Sequence, residues 1–216
     1  MIKAVFFDFD DTLGNREIYA YQCYRDILRQ HCSITDPIEF EAVLQHVMIW
    51  DQHGDVNKSY VADMLEKTYG IRIGTEDFNS YWDSVLFNYA VPFEGAEKTL
   101  AYLKEKYILG VITNGPSHGQ RGKLEKSGLS GYFQDDLVIV SGDYGFKKPD
   151  PRLFVIACNK AGVKPEEAVF VGDIFARDVL GAYRAGMKPI WIWKEGRCCD
   201  ADVTIIHKIE ELAELL

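Results

Sequence analysis

Ile2-Lys3-Ala4-Val5-Phe6-Phe7-Asp8-Phe9-Asp10-Asp11-Thr12 opens with a short apolar, β-branched and aromatic run that stops at a cluster of acids. Length and composition predict a buried strand from Ile2 to Phe7. Four further runs share its character, at residues 108–112, 137–140, 168–171 and 189–193, with 203–206 as a sixth. Amphipathic segments lie between them, at residues 94–106, 119–126, 151–161, 176–185 and 208–216. Strands of unbroken apolar character alternating with helices predict an α/β fold, a doubly wound and mostly parallel sheet covered on both faces.

Residues 15–92 break this rhythm. They show helical spacing at Ile38, Ala42, Val43 and Val47, and again at Tyr60, Met64 and Leu65. Thr35-Asp36-Pro37 is a helix-start signal, and Gly54 and Gly70 mark helix ends or turns. The expectation is a Rossmann-like core formed by residues 1–14 and 93–216, with an all-helical domain at 15–92. An insertion at this point is expected over the carboxyl ends of the strands, where open parallel sheets bind ligands.

The 216 residues carry 33 acids and 24 Lys and Arg, a net charge of −9. That balance opposes binding to a nucleic-acid backbone. No run approaches the ~18 apolar residues of a membrane helix. The N-terminal stretch from Met1 to Asp8 meets a charge too soon for a secretory leader; a cytoplasmic protein is expected, monomeric or homodimeric. The five cysteines form no CxxC pair and read as reduced thiols, with Cys198-Cys199 as a surface turn. The insertion between Gly14 and Phe93 carries −6 of the net charge.

In a parallel sheet the residues just after each strand converge. Here they are Asp8-Phe9-Asp10-Asp11-Thr12, then Thr113-Asn114-Gly115, then Ser141-Gly142-Asp143 with Lys147-Lys148-Pro149, then Gly172-Asp173 with Asp178. Carboxylates brought together repel unless a cation sits among them, and oxygen-only ligands favour Mg²⁺. A lysine beside them can neutralise a phosphoryl group. A carboxylate can itself attack phosphorus. A second carboxyl two residues on faces the same side if the backbone stays extended, and can then serve as general acid and base.

These four segments together resemble the motifs of the haloacid dehalogenase-like superfamily, of the phosphatase type with a helical cap between motifs one and two. The motifs are Asp8-Phe9-Asp10-Asp11-Thr12, Thr113-Asn114-Gly115, Lys148 before Pro149, and Gly172-Asp173 through Asp178. The resemblance implies Asp8 as nucleophile and metal ligand, and Asp10 as general acid/base with its backbone carbonyl on Mg²⁺. It implies that Thr113 and the amides of Asn114 and Gly115 hold phosphate. Lys148 would pair with Asp8 and the phosphoryl oxygens, Asp173 would be a metal ligand, and Asp178 would be a ligand, directly or through water, or an orienting partner. Ile174 stands where relatives often have Ser, and Lys148 is preferred to Lys147 because it directly precedes Pro149.

Blander readings apply to the neighbours. Asp11 is expected at a helix start or in solvent, and Thr12 is expected to fix the turn. Asp143 and Asp150 are expected as turn and N-cap residues, and Lys147 as solvated. The scattered histidines, His46 and His53 among them, are not expected to bind metal, and His118 reads as an ordinary loop residue. Tyr19, Trp50, Trp82 and Tyr89 are stacking candidates for a substrate base. The implied activity is Mg²⁺-dependent hydrolysis of a small phosphorylated metabolite, a nucleoside monophosphate or sugar phosphate, through an aspartyl-phosphate. The alternatives are a phosphomutase of the same superfamily and a phospho-accepting receiver domain. Asp10 argues against dehalogenation, which attacks carbon without a metal or this second acid.

Overall fold

The computed structural model describes residues 1–73, 75–193 and 199–216. β1 (Ala4–Phe7) is followed by α1 (Arg16–His31), α2 (Pro37–Asp51), α3 (Lys58–Tyr69) and α4 (Thr75–Val85). Then come α5 (Ala96–Lys104), β2 (Ile108–Thr113), α6 (Ser117–Lys126), β3 (Val138–Val140), α7 (Pro151–Ala161) and β4 (Ala168–Gly172). The chain closes with α8 (Leu180–Ala185), β5 (Lys188–Ile192), β6 (Thr204–Ile206) and α9 (Leu212–Leu215). Two compact units result, one of residues 1–15 and 92–216 and one of residues 16–91.

The first unit is an α/β fold built on a six-stranded sheet of order β3-β2-β1-β4-β5-β6, with every strand pair parallel. Phe7 pairs with Val111 on one side and Val171 on the other. From β1 the chain builds outward to β3, then crosses back to β4 and builds the other half. The direction of winding reverses beside β1, and open α/β sheets bind ligands at such a switch point. Asp8, Asn114 and Asp173 each follow the last residue of a central strand and so share one sheet edge. Phe6, Ile112, Ile139, Phe154, Phe170 and Met187 form one buried cluster. Each such side chain contributes roughly 1.5–3 kcal/mol by leaving water. Phe154 and Phe170 meet edge to face at 4.9 Å.

The second unit contains helices and no strand among its described residues. Asp36 caps α2 by accepting from the N–H groups of Ile38 and Glu39 at 2.9 and 3.0 Å, with Pro37 in the first turn. Gly70 ends α3 at φ 68°, a conformation that costs other residues more. Gly54 lies in a 3₁₀ turn after α2, as its turn reading required. At the core of this unit Asp51 accepts hydrogen bonds from Arg16 Nη1 and Tyr24 Oη, both at 2.5 Å, and from Lys58 Nζ. Tyr24 lies against Trp82, ring centroids 4.2 Å apart.

Tyr19 and Trp82 are buried, so they serve as core and not as stacking platforms. Tyr89 hydrogen-bonds Asp26, and Trp50 packs beside His46 and Tyr69. Burial pushes the thiols of Cys23 and Cys158 up to about 12 and about 11, which makes them unreactive. Cys32 and Cys199 are also free thiols. The surface-turn reading of Cys198-Cys199 falls partly on Cys198, which lies outside the described residues. Among those residues no helix is long and apolar enough to cross a membrane.

Candidate active site

Three acids from two strand ends meet in the first unit. Asp8, Asp173 and Asp178 each bring one carboxylate oxygen within 4.8 Å of the others. Asp8 is placed by β1, whose pairing continues one step beyond Phe7 through Asp8 N–H donating to Val171 O at 2.9 Å. Asp173 follows β4, and its carbonyl accepts from Trp191 Nε1 at 2.8 Å. Asp178 sits in a single π-helical turn, Phe175–Val179, and accepts from Ile174 N–H at 2.9 Å. Such turns frequently mark functional sites. A Cβ on Gly172 would lie 2.5 Å from Asp178 Cβ, so only glycine lets this carboxylate approach the strand end.

Lys148 Nζ lies 2.8 Å from Asp8 Oδ1 and 2.7 Å from Asp178 Oδ1, with its side chain 1% exposed. These contacts have the distance of an ion pair without the angles of a good hydrogen bond. Lys147 is exposed, whereas Lys148 is buried beside the carboxylates. The Lys148 backbone is clamped on both sides by the Asn114 side chain. Its N–H donates to Asn114 Oδ1 at 2.8 Å, and its carbonyl accepts from Nδ2 at 3.2 Å. Burial disfavours the Lys148 charge, but Asp178 and Asp8 outweigh it and hold its pKa above the usual range.

Burial, opposed by Lys148 and reinforced by Asp178 and Asp10, pushes the Asp8 carboxyl up to about 6. Asp173 is held well above the usual carboxylate range by burial first, then by Asp178, Asp8 and Asp11. Its Oδ1 is buried without a hydrogen-bond partner. Three carboxylates beside one lysine leave two negative charges, which a single divalent cation balances. All-oxygen donors of this kind suit Mg²⁺ or another hard cation. The residues therefore fit the metal that the sequence implied.

Asp10 stands apart from the trio. β1 ends at Phe7, so the extended backbone assumed for a period-two relation between Asp8 and Asp10 does not continue. The Asp10 carboxylate instead faces α6, where Lys123 Nζ donates to both of its oxygens at 2.7 Å and Gln120 Nε2 donates to Oδ2 at 3.1 Å. Thr113 Oγ1 donates to Gln120 Oε1 at 3.2 Å. Gly115 N–H donates to Ser141 Oγ at 3.0 Å, so one of the two amides expected to hold phosphate already has a partner.

Asp11 is buried at φ 58° and acts on Asp173, so it is neither a helix-start nor a solvent residue. The Thr12 hydroxyl is buried without a partner, so it does not fix the turn. That turn is held by the backbone N–H groups of Thr12, Leu13 and Gly14, which all donate to Phe9 O. Asp150 caps α7 as expected, and Asp143 lies in a 3₁₀ turn. His118 is in the first turn of α6, not in a loop. Sequence reasoning did not find Lys123 or Gln120. Their signal is two long polar residues three apart on the helix that follows Thr113-Asn114-Gly115.

A parallel sheet carrying three carboxylates and a lysine at the ends of its central strands defines a class, an α/β protein equipped to hold a cation and an anion together. The profile of haloacid dehalogenase-like hydrolases matches residues 2–186, and the chain belongs to that family. It is 34% identical to a glyceraldehyde 3-phosphate phosphatase of Methanothermobacter thermautotrophicus, over 100% of both chains. Human N-acylneuraminate-9-phosphatase is 32% identical, over 90% of this chain and 84% of that one. A crystal structure of a HAD phosphatase from Thermococcus onnurineus superposes with a TM-score of 0.65 at 28% identity, over 99% and 97% of the two chains.

Proposed function

We propose that this hydrolase is a Mg²⁺-dependent phosphatase of a small phosphorylated metabolite, with Asp8 as its nucleophile. The observation that carries this reading is the ion pair of Asp8 with buried Lys148, beside Asp173 and Asp178. Mg²⁺ held by Asp8, Asp173, Asp178 and the Asp10 carbonyl would supply charge neutralisation for the phosphoryl oxygens. Asp8 attacks phosphorus, and the ester oxygen departs with the proton of the Asp10 carboxyl. Asp10, now a carboxylate, takes a proton from the water that cleaves the aspartyl-phosphate, which regenerates Asp8. Thr113 and the backbone of Asn114 hold the transferred group, and Lys148 offsets its charge.

Residues 15–92 serve in this reading as the cap that sets selectivity. The named relatives are a glyceraldehyde 3-phosphate phosphatase and an N-acylneuraminate-9-phosphatase. A pyrimidine 5'-nucleotidase of Escherichia coli is also similar, at 27% identity, so a sugar phosphate and a nucleoside monophosphate both stay in the substrate panel. The test is turnover of p-nitrophenyl phosphate with Mg²⁺, followed by a panel of phosphate esters. Asp8→Asn is expected to fold and to lose turnover, and normal turnover in that variant rejects the nucleophile. Multiple turnovers separate an enzyme from a receiver domain. Phosphate release without a phosphorylated co-substrate separates hydrolysis from a mutase reaction.

A further inference from the structure

Asp10 poses a problem that the motif reading leaves open. A general acid/base must present one oxygen to the substrate, yet this carboxylate stands beyond the end of β1. It is oriented from another element. Lys123 and Gln120 lie three residues apart on α6, a spacing that puts both on one helix face. Both are buried, which is unusual for a lysine unless its charge is paired. Lys123 Nζ lies 2.7 Å from each Asp10 oxygen, and Gln120 Nε2 reaches Oδ2.

The same Gln120 amide ties Asp10 to the proposed phosphate-binding turn. Nε2 also donates to Asn114 O at 2.9 Å, and Oε1 accepts from the Thr113 hydroxyl. The backbone of the turn is close enough that a Cβ on Gly115, whose φ is 143°, would lie 2.6 Å from Gln120 Nε2. One helix face thus holds the proton-transfer group and the turn in register. Asp10 with Lys123 is also a neutral pair, separate from the two excess negative charges of the trio that a divalent cation would balance.

We propose that Lys123, with Gln120 beside it, is a positioning residue for the proton transfer carried by Asp10. It holds the Asp10 carboxyl group in the orientation from which its proton passes to the leaving oxygen. This rests on the reading of Asp10 as general acid/base. Held geometry is where such a group gains its efficiency, because an unanchored carboxylate must be ordered in each turnover.

The consequence depends on the leaving group. An alkoxide needs its proton as the ester bond breaks, whereas p-nitrophenolate departs without one. The experiment measures kcat/KM of the full chain with Mg²⁺ for an alkyl phosphate and for p-nitrophenyl phosphate, in wild type, Lys123→Met, Asp10→Asn and the double variant. Lys123→Met is expected to lose about 10–100-fold on the alkyl ester and less than about threefold on the aryl ester, within the range supplied by acid–base catalysis. In the Asp10→Asn background the same substitution should cost nothing further on the alkyl ester.

Equal losses on both esters, or full additivity in the double variant, overturn the proposal. If Asp10→Asn itself shows no preference between leaving groups, the reading of Asp10 fails instead, and the two failures are told apart. Thermal unfolding of each variant separates folding defects from kinetic ones. Should Lys123→Met not fold, Lys123→Gln keeps a donor towards Asp10 without the charge. It should show the same leaving-group dependence to a smaller degree, and its absence there counts equally against the role.

Discussion

Two adjacent lysines, Lys147 and Lys148, carry the same charge and have opposite fates. Lys148 is buried between Asp8 and Asp178, and Lys147 is exposed. Removing one partner of a buried ion pair leaves uncompensated charge, at a cost of about 3–5 kcal/mol. Lys148→Met should therefore lower stability by that order in urea unfolding without divalent cations, and should reduce kcat by at least about 100-fold. Lys147→Met should stay within about 0.5 kcal/mol of the parent. The reverse pattern would move the functional lysine by one position. Lys148 was legible in the sequence because it precedes Pro149 within a motif. Lys123 was not, because a lysine on a polar helix reads as a solvated one. Only the folded chain shows that it faces Asp10.

At the scale of elements, Asp51 joins three helices. It ends α2 and binds Arg16 at the start of α1 and Lys58 at the start of α3. Burial alone would raise its pKa, but Arg16 and Lys58 outweigh it and hold the carboxyl at about 2. A depressed carboxylate stabilises the fold above its unfolded pKa near 4, and that contribution is lost as pH falls to about 2. Acid titration followed by circular dichroism should show helix loss within this window. Asp51→Asn should destabilise the helical unit at neutral pH by about 3–5 kcal/mol and remove the acid step. A variant that keeps the step would locate it elsewhere. The elements themselves were largely readable. Continuous apolar runs gave all six strands to within two residues, and Asp36-Pro37 marked the start of α2. The π turn at Phe175–Val179 was read as ordinary helix, because the side chain that it turns, Asp178, leaves no trace in hydrophobic periodicity. The single bend after Phe7 escaped for the same reason, and with it the direction of Asp10.

For the molecule as a whole, the net charge of −9 matters less than where uncompensated charge is buried. Asp8 has its pKa pushed up to about 6, and Asp173 stands well above the usual range. A carboxyl whose folded pKa is raised favours the fold fully below its unfolded pKa near 4, and that advantage is lost as pH rises through the folded value. Without divalent cation, stability should therefore fall between about pH 4 and pH 6. Asp8 alone contributes on the order of 3 kcal/mol, and Asp173 extends the loss to higher pH. The Asp51 step lies below this range and has the opposite sign, so the metal-free protein should be most stable near pH 4–5. A cation bound among Asp8, Asp173 and Asp178 replaces the missing protons and stabilises only the folded state. Millimolar Mg²⁺ should thus raise Tm more at pH 7.5 than at pH 5, by calorimetry or dye-monitored melting. Asp173→Asn removes one ligand and one buried charge together. It should raise the metal-free Tm at pH 7.5 while weakening the response to Mg²⁺. An Mg²⁺ response of equal size at both pH values, or an unchanged one in Asp173→Asn, would mean that the cation is held by other groups and that protons and metal do not compete at these strand ends.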